Sequence, residues 1–178
     1  MKTIASLFIF LFSMGCLIVK AQTSTLPDIK ALESQYEKFV NEADSPQKAQ
    51  FTQQLETLLN ELSKENETAV NAKTTFTEAE KKEISERGLI IGNLDRWIIF
   101  LQKNKIRQLP EFKDVWKKIK PHYQKSPGNP EVYRMQQEYL DKACEKALTL
   151  PEAESKKRIK EINAIYTILI TCPEDTMP

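Results

Sequence analysis

One histidine, three cysteines and four glycines are the whole stock, in 178 residues, of types on which many metal sites, disulfide scaffolds and tight-turned sheets depend. Each shortage excludes something. A histidine–cysteine zinc site takes four ligands, and His122, Cys144 and Cys172 cannot make one once Cys16 is assigned to an apolar leader. Hairpin turns favour Gly or Asn at positive φ, and only Gly88, Gly92 and Gly128 stand beyond that leader. The chain also lacks a glycine-rich phosphate loop, a serine in a nucleophile elbow and a calcium loop. It lacks a surplus of charge: 26 Lys/Arg face 25 Asp/Glu, formally +1, so nothing demands nucleic acid or an anionic membrane as partner. No cofactor, no metal and no catalytic residue is assigned.

What is present begins with an apolar run over residues 4–19, behind Lys2 and ahead of Val19-Lys20-Ala21. A short positive start, an apolar stretch and small residues at the exit define a secretory signal peptide over 1–21, with cleavage before Gln22. The expected destination is the periplasm or the exterior. Sixteen apolar residues fall just short of a bilayer span, and the mature chain holds no stable membrane span of its own. A second reading takes Ser13-Met14-Gly15-Cys16, which loosely resembles the lipobox of bacterial lipoproteins, with Cys16 as the lipidated anchor. Ser13 stands where that motif usually carries an aliphatic residue, so soluble export is the stronger reading.

Residues 22–178 form one domain's length of helix formers, read as an all-α bundle of six to seven helices in antiparallel hairpins. Ile29, Leu32, Tyr36, Phe39 and Val40 repeat at helical spacing after Pro27. Ser45-Pro46 caps and starts a second helix carrying Phe51, Leu55, Leu59 and Leu62, expected to fold back on the first. Residues 64–76 are polar and are read as a weak linker or loop. Asn66 there begins a formal glycosylation sequon, meaningful only in a eukaryotic source. Thr77-Glu78-Ala79-Glu80 is a capping box. Gly88 either ends the helix it starts or lies within a longer one. Leu89 to Lys105 is the most apolar stretch and the expected central helix of the core. Pro110 starts a further helix that Pro121 is expected to stop, and helices after Pro130 and Pro151 complete the bundle.

Candidate chemistry is thin. His122 has no partner motif for general-base work and reads as a surface residue near a helix end. Glu78, Glu80, Glu83 and Glu86 read as a solvated face with acids favourably placed at a helix N-terminus. Cys144 lies about 9 Å and Cys172 about 33 Å from a turn near Leu150, at about 1.5 Å per residue. A bridge needs Cα atoms within about 7 Å, so two separate thiols are favoured over a disulfide.

Charge distribution is the uneven feature. Residues 22–87 carry 13 acids and 8 bases, while residues 103–125 carry eight bases against Glu111 and Asp114. Lys113, Lys117, Lys120 and Lys125 mark a possible surface for an acidic protein or anionic glycan partner; the plainer alternative is a solvated face beside buried Phe112, Trp116 and Ile119. The function expected from these features is a non-enzymatic exported protein that binds another macromolecule. An exported carbohydrate- or peptidoglycan-active hydrolase with unidentified carboxylates is the alternative, and a structural envelope protein without a dedicated ligand is a third.

Overall fold

The capping residues set the helix boundaries. The computed structural model describes residues 26–125 and 130–171, the side chains of 124 and 125 aside. The leader of residues 1–21, the loop around Gly128 and Cys172 lie outside the described residues.

Seven helices and no strands occur among the described residues. Helix α1 (Ile29–Val40) starts at Asp28, whose carboxylate accepts from the Ala31 N–H. Helix α2 (Pro46–Asn71) starts at Ser45, whose hydroxyl oxygen accepts from the Lys48 N–H, with Pro46 in the first turn where no intrahelical donor is needed. Helix α3 (Glu78–Leu101) opens with the complete capping box: Thr77 Oγ1 accepts from Glu80 N, and Glu80 accepts from Thr77 N. Short α4 (Lys103–Gln108) follows, then α5 (Pro110–Lys125), α6 (Pro130–Leu148) and α7 (Glu152–Thr171).

Two boundaries differ from the sequence reading, each for a physical reason, and the alternative left open at Gly88 is resolved. The stretch read as a loop from Lys64 is helical through Asn71. Glu65 lies 4.0 Å from buried Arg87 of α3, and the Thr68 hydroxyl donates to the Lys64 carbonyl at 2.8 Å. These last turns of α2 are polar because one side of them faces water, not because they are irregular. Gly88 and Gly92 lie inside α3, where flanking Arg87 and Ile90 are buried. Pro121 does not stop α5. It removes one N–H from the ladder, but the tilted contact between the Tyr123 and Trp116 rings, with centroids 6.0 Å apart, ties the following turn to the body.

Packing divides the chain into two regions that share α3. In the first, Phe51, Leu55, Leu59 and Leu62 of α2 meet Ile90, Leu94, Trp97, Ile98 and Leu101 of α3. Gln102 donates to Glu56 near one end and Arg87 approaches Glu65 near the other, so α2 and α3 run antiparallel. Helix α1 was expected to pair with α2. It rests chiefly on α3, where Tyr36 stacks on Trp97 with centroids 5.2 Å apart. The second region joins Ile99 of α3 and Ile106 of α4 to Phe112, Val115, Trp116 and Ile119 of α5, Val132 of α6, and Ala164, Ile165, Ile168 and Leu169 of α7. A smaller cluster of Leu140, Ala147 and Ile162 closes α6 on α7, with half-buried Cys144 packed against it.

No described helix is long and apolar enough to cross a membrane.

Candidate functional site

A groove of about 640 Å³ lies on the second region, within the usual range for ligand sites. Its floor is apolar: Val115 and Ile119 from α5, and Met135, Ala143 and Ala147 from α6. Lys118, Lys142, Lys146 and Arg158 supply cations to its lining, against the carboxylates of Glu111 and Glu138. Leu150, 40% exposed, extends the apolar surface past the end of α6.

The local helical geometry explains who stands where. On α6, Met135, Tyr139, Ala143 and Ala147 recur every fourth residue and form one ridge, while Glu138, Lys142 and Lys146 form the next ridge; Leu150 follows in the turn past the helix end. The first ridge lines the floor and the second makes the rim. Lys118 comes from α5 on the other side, its Nζ 5.0 Å from the Tyr139 ring centroid.

Electrostatics separates two kinds of charge here. Arg158 is committed: it donates to Glu161 at 2.8 Å and makes a short contact with Glu111. Those partners raise its pKa further, Glu161 contributing most. The Glu111 carboxyl is drawn below its ordinary range, first by its own backbone N–H and then by Arg158, against the opposing effect of burial. Partial burial pushes the Tyr139 hydroxyl up, reinforced by Asp114 and Glu111. Glu138 is paired with Arg134 at 2.8 Å. By contrast, the ammonium groups of Lys142 and Lys146 have no carboxylate within ion-pair reach among the described residues, and neither does that of Lys118.

The lysines singled out by sequence sit elsewhere. Lys113 and Lys117 are exposed on α5 and Lys120 is half-buried, and none of the three lines the groove. The Lys125 side chain lies outside the described residues. The structure brings Lys118 to Lys142, Lys146 and Arg158 instead. Those α6 and α7 residues are more than 20 positions away in the chain, so a local charge count could not join them. The repeat of cations and alanines every fourth residue in α6 was a legible sign, but only once that face was known to be uncovered.

A second, smaller depression of about 260 Å³ lies beside the α1–α2 turn. Lys48 there is 3% exposed. Its ammonium donates to the Glu42 carbonyl at 2.8 Å and sits 3.6 Å from Asp44, so it clamps the end of α1. His122 is half-buried in the last turn of α5. Asn66 is helical and half-buried, and its carboxamide oxygen is buried with no hydrogen-bond partner among the described residues. Among the described residues no three His, Cys, Asp or Glu side chains converge to hold a metal ion.

No family model matches the chain, and neither the curated proteins nor the solved structures offer a match to it.

Proposed function

We propose that this is an exported, non-catalytic binding protein whose α5–α6 face holds an anionic macromolecule. The observation that carries the proposal is the pair Lys142 and Lys146, which with Lys118 stand around an apolar floor and have no ion-pair partner among the described residues. A charge left beside an open apolar trough retains its capacity to meet a partner's carboxylate or sulfate. Surface ion pairs with nearby acids would have spent it at little gain, typically about 0–1 kcal/mol. Lys113, Lys117 and Lys120 extend the same positive field outside the groove and serve long-range attraction rather than contact.

The hydrolase reading asks for a carboxyl held protonated near neutral pH beside a second carboxylate. Glu111 moves in the opposite direction, towards the charged form, which makes it an ion-pair acceptor. The binding reading is therefore preferred. Export rests on the leader: a positive start, an apolar run and a small-residue exit.

The test is retention on a sulfated anionic resin. The purified protein elutes at raised salt, and Lys142→Glu/Lys146→Glu elutes markedly earlier. Lys117→Glu/Lys120→Glu has a smaller effect. Equal elution of all three would remove the proposal. Intact mass of the exported form shows a start at Gln22; a lipid adduct on Cys16 would replace soluble export with anchoring.

A further inference from the structure

We infer that the α5–α6 groove is a seat for an acidic amphipathic helix of a partner protein. The inference rests on the binding reading above and narrows it to one occupant. Three observations converge on a helix.

The first is shape. From Met135 to Ala147 the floor ridge covers thirteen residues, twelve rises of about 1.5 Å or roughly 18 Å, a little over three helical turns. Ala143, half-buried in the middle of that ridge, leaves a shallow notch where bulkier neighbours would stand proud. The small side chain of Ala143 lets another helix lay its own ridge close against α6 at that point, as in ordinary helix-on-helix packing.

The second is charge spacing. Lys142 and Lys146 are one turn apart on the rim, and Lys118 faces them from α5. Acids one turn apart on the flank of an incoming helix meet the α6 pair together, while its apolar stripe covers the floor. A sulfated glycan has no apolar stripe to match that floor. A duplex nucleic acid needs a broader cationic surface than one that carries Glu111 and Glu138 within its lining.

The third is the uncovered apolar rim. Leu150, 40% exposed, lines the groove from the turn just past the end of α6; Leu148, 69% exposed, is the last residue of that helix and lies outside the lining. A helix seated along the ridge covers Leu150 as it leaves the groove.

The experiment uses the purified protein and a fluorescein-labelled synthetic peptide of about 18 residues, long enough for five helical turns. The peptide carries Leu and Ile on one face and Glu at four-residue spacing on its flanks; a matched peptide carries Lys in place of Glu. Fluorescence anisotropy is read at low salt and at about 0.5 M NaCl. The Glu peptide binds and the Lys peptide does not. Lys142→Glu/Lys146→Glu weakens the Glu peptide by about tenfold or more and gains affinity for the Lys peptide, since opposed charges steer and like charges repel. Ala143→Trp, checked for native helicity by circular dichroism, blocks the seat. Lys113→Glu, off the groove, changes binding by less than about twofold.

Failure of the Glu peptide to bind, with resin retention still sensitive to Lys142→Glu/Lys146→Glu, overturns the helix seat and leaves the broader binding reading standing. Loss of both results removes both. Two further outcomes overturn the seat in favour of another occupant. One is binding to phosphatidylglycerol vesicles that the Glu peptide does not displace. The other is concentration-dependent self-association abolished by the same lysine variant.

Discussion

The two regions that share α3 are built by the same rules and carry opposite charge. Residues 26–101 hold 14 acids and 9 bases; residues 102–171 hold 15 bases and 9 acids. Both bury aliphatic ridges around one tryptophan, Trp97 in the first and Trp116 in the second. They differ in what happens to the charges. In the first region Lys73 pairs with Glu80, Lys81 with Glu78, and Arg87 with Glu83 and Glu65. In the second, Arg134, Lys156 and Arg158 are paired, while Lys118, Lys142 and Lys146 line an apolar floor with no carboxylate within ion-pair reach among the described residues. The difference teaches that composition near neutrality can hide a polarised molecule. Each region forms ion pairs within itself and keeps a surplus, acidic in the first and basic in the second.

The largest effect tests whether the two regions fold as one. Leu55 and Ile168 are fully buried, one in each region, and truncating such a residue to Ala costs about 2–5 kcal/mol. Because α3 contributes Leu94 and Ile98 to one cluster and Ile99 to the other, Leu55→Ala lowers the urea midpoint at both tryptophans together. Single-tryptophan variants Trp97→Phe and Trp116→Phe give the two separate readouts. A midpoint that moves at Trp97 and stays at Trp116 would break the shared-helix picture.

Smaller effects sharpen it. Thr77→Ala removes the cap at the start of the shared helix and costs about 1 kcal/mol, measured as a lower midpoint at both reporters. Gly88→Ala works in the other direction. A Cβ at Gly88 meets nothing within 4 Å, so replacing a mid-helix glycine raises stability by about 0.5–1 kcal/mol. A lower thermal midpoint for this variant would show that α3 needs flexibility there.

The smallest effect is a pH dependence. The Glu80 carboxyl is held at about 2 against an ordinary 4.5, first by Lys73 and then by the Thr77 backbone N–H and hydroxyl. Its folded-state value lies below its unfolded one, so its contribution is complete above the ordinary value and fades as pH falls from 4.5 towards 2. The stability gap between the unmodified protein and Glu80→Gln therefore closes across that window. A gap constant down to pH 2 would mean that the carboxylate is not charged in the cap.

Much of the fold was legible before any coordinate. Ser45-Pro46 and Thr77 with Glu80 announce helix starts by local hydrogen bonding alone, which needs no distant partner. Positions such as Leu55, Leu94 and Ile165 follow from spacing. The failures fell where side-chain packing, between helices or between turns of one helix, overrules local preference. Arg87 reaches back towards Glu65 beside the segment read as a loop, and the Tyr123–Trp116 contact carries α5 past Pro121. The groove was the least legible feature. Lys118 and Lys142 belong to different helices, and nothing in the order of residues says that α5 and α6 leave a trough between them.

Sequence by itself determined the helical class, most of the caps and the charge imbalance between the halves, because each depends on residues within a turn or two or on simple composition. Tertiary structure alone decided which helices touch, which lysines stand together and which ridge of α6 is left half-buried beside a groove. Those outcomes depend on how whole helical faces compete for one another, and burial is shared among residues far apart in the chain.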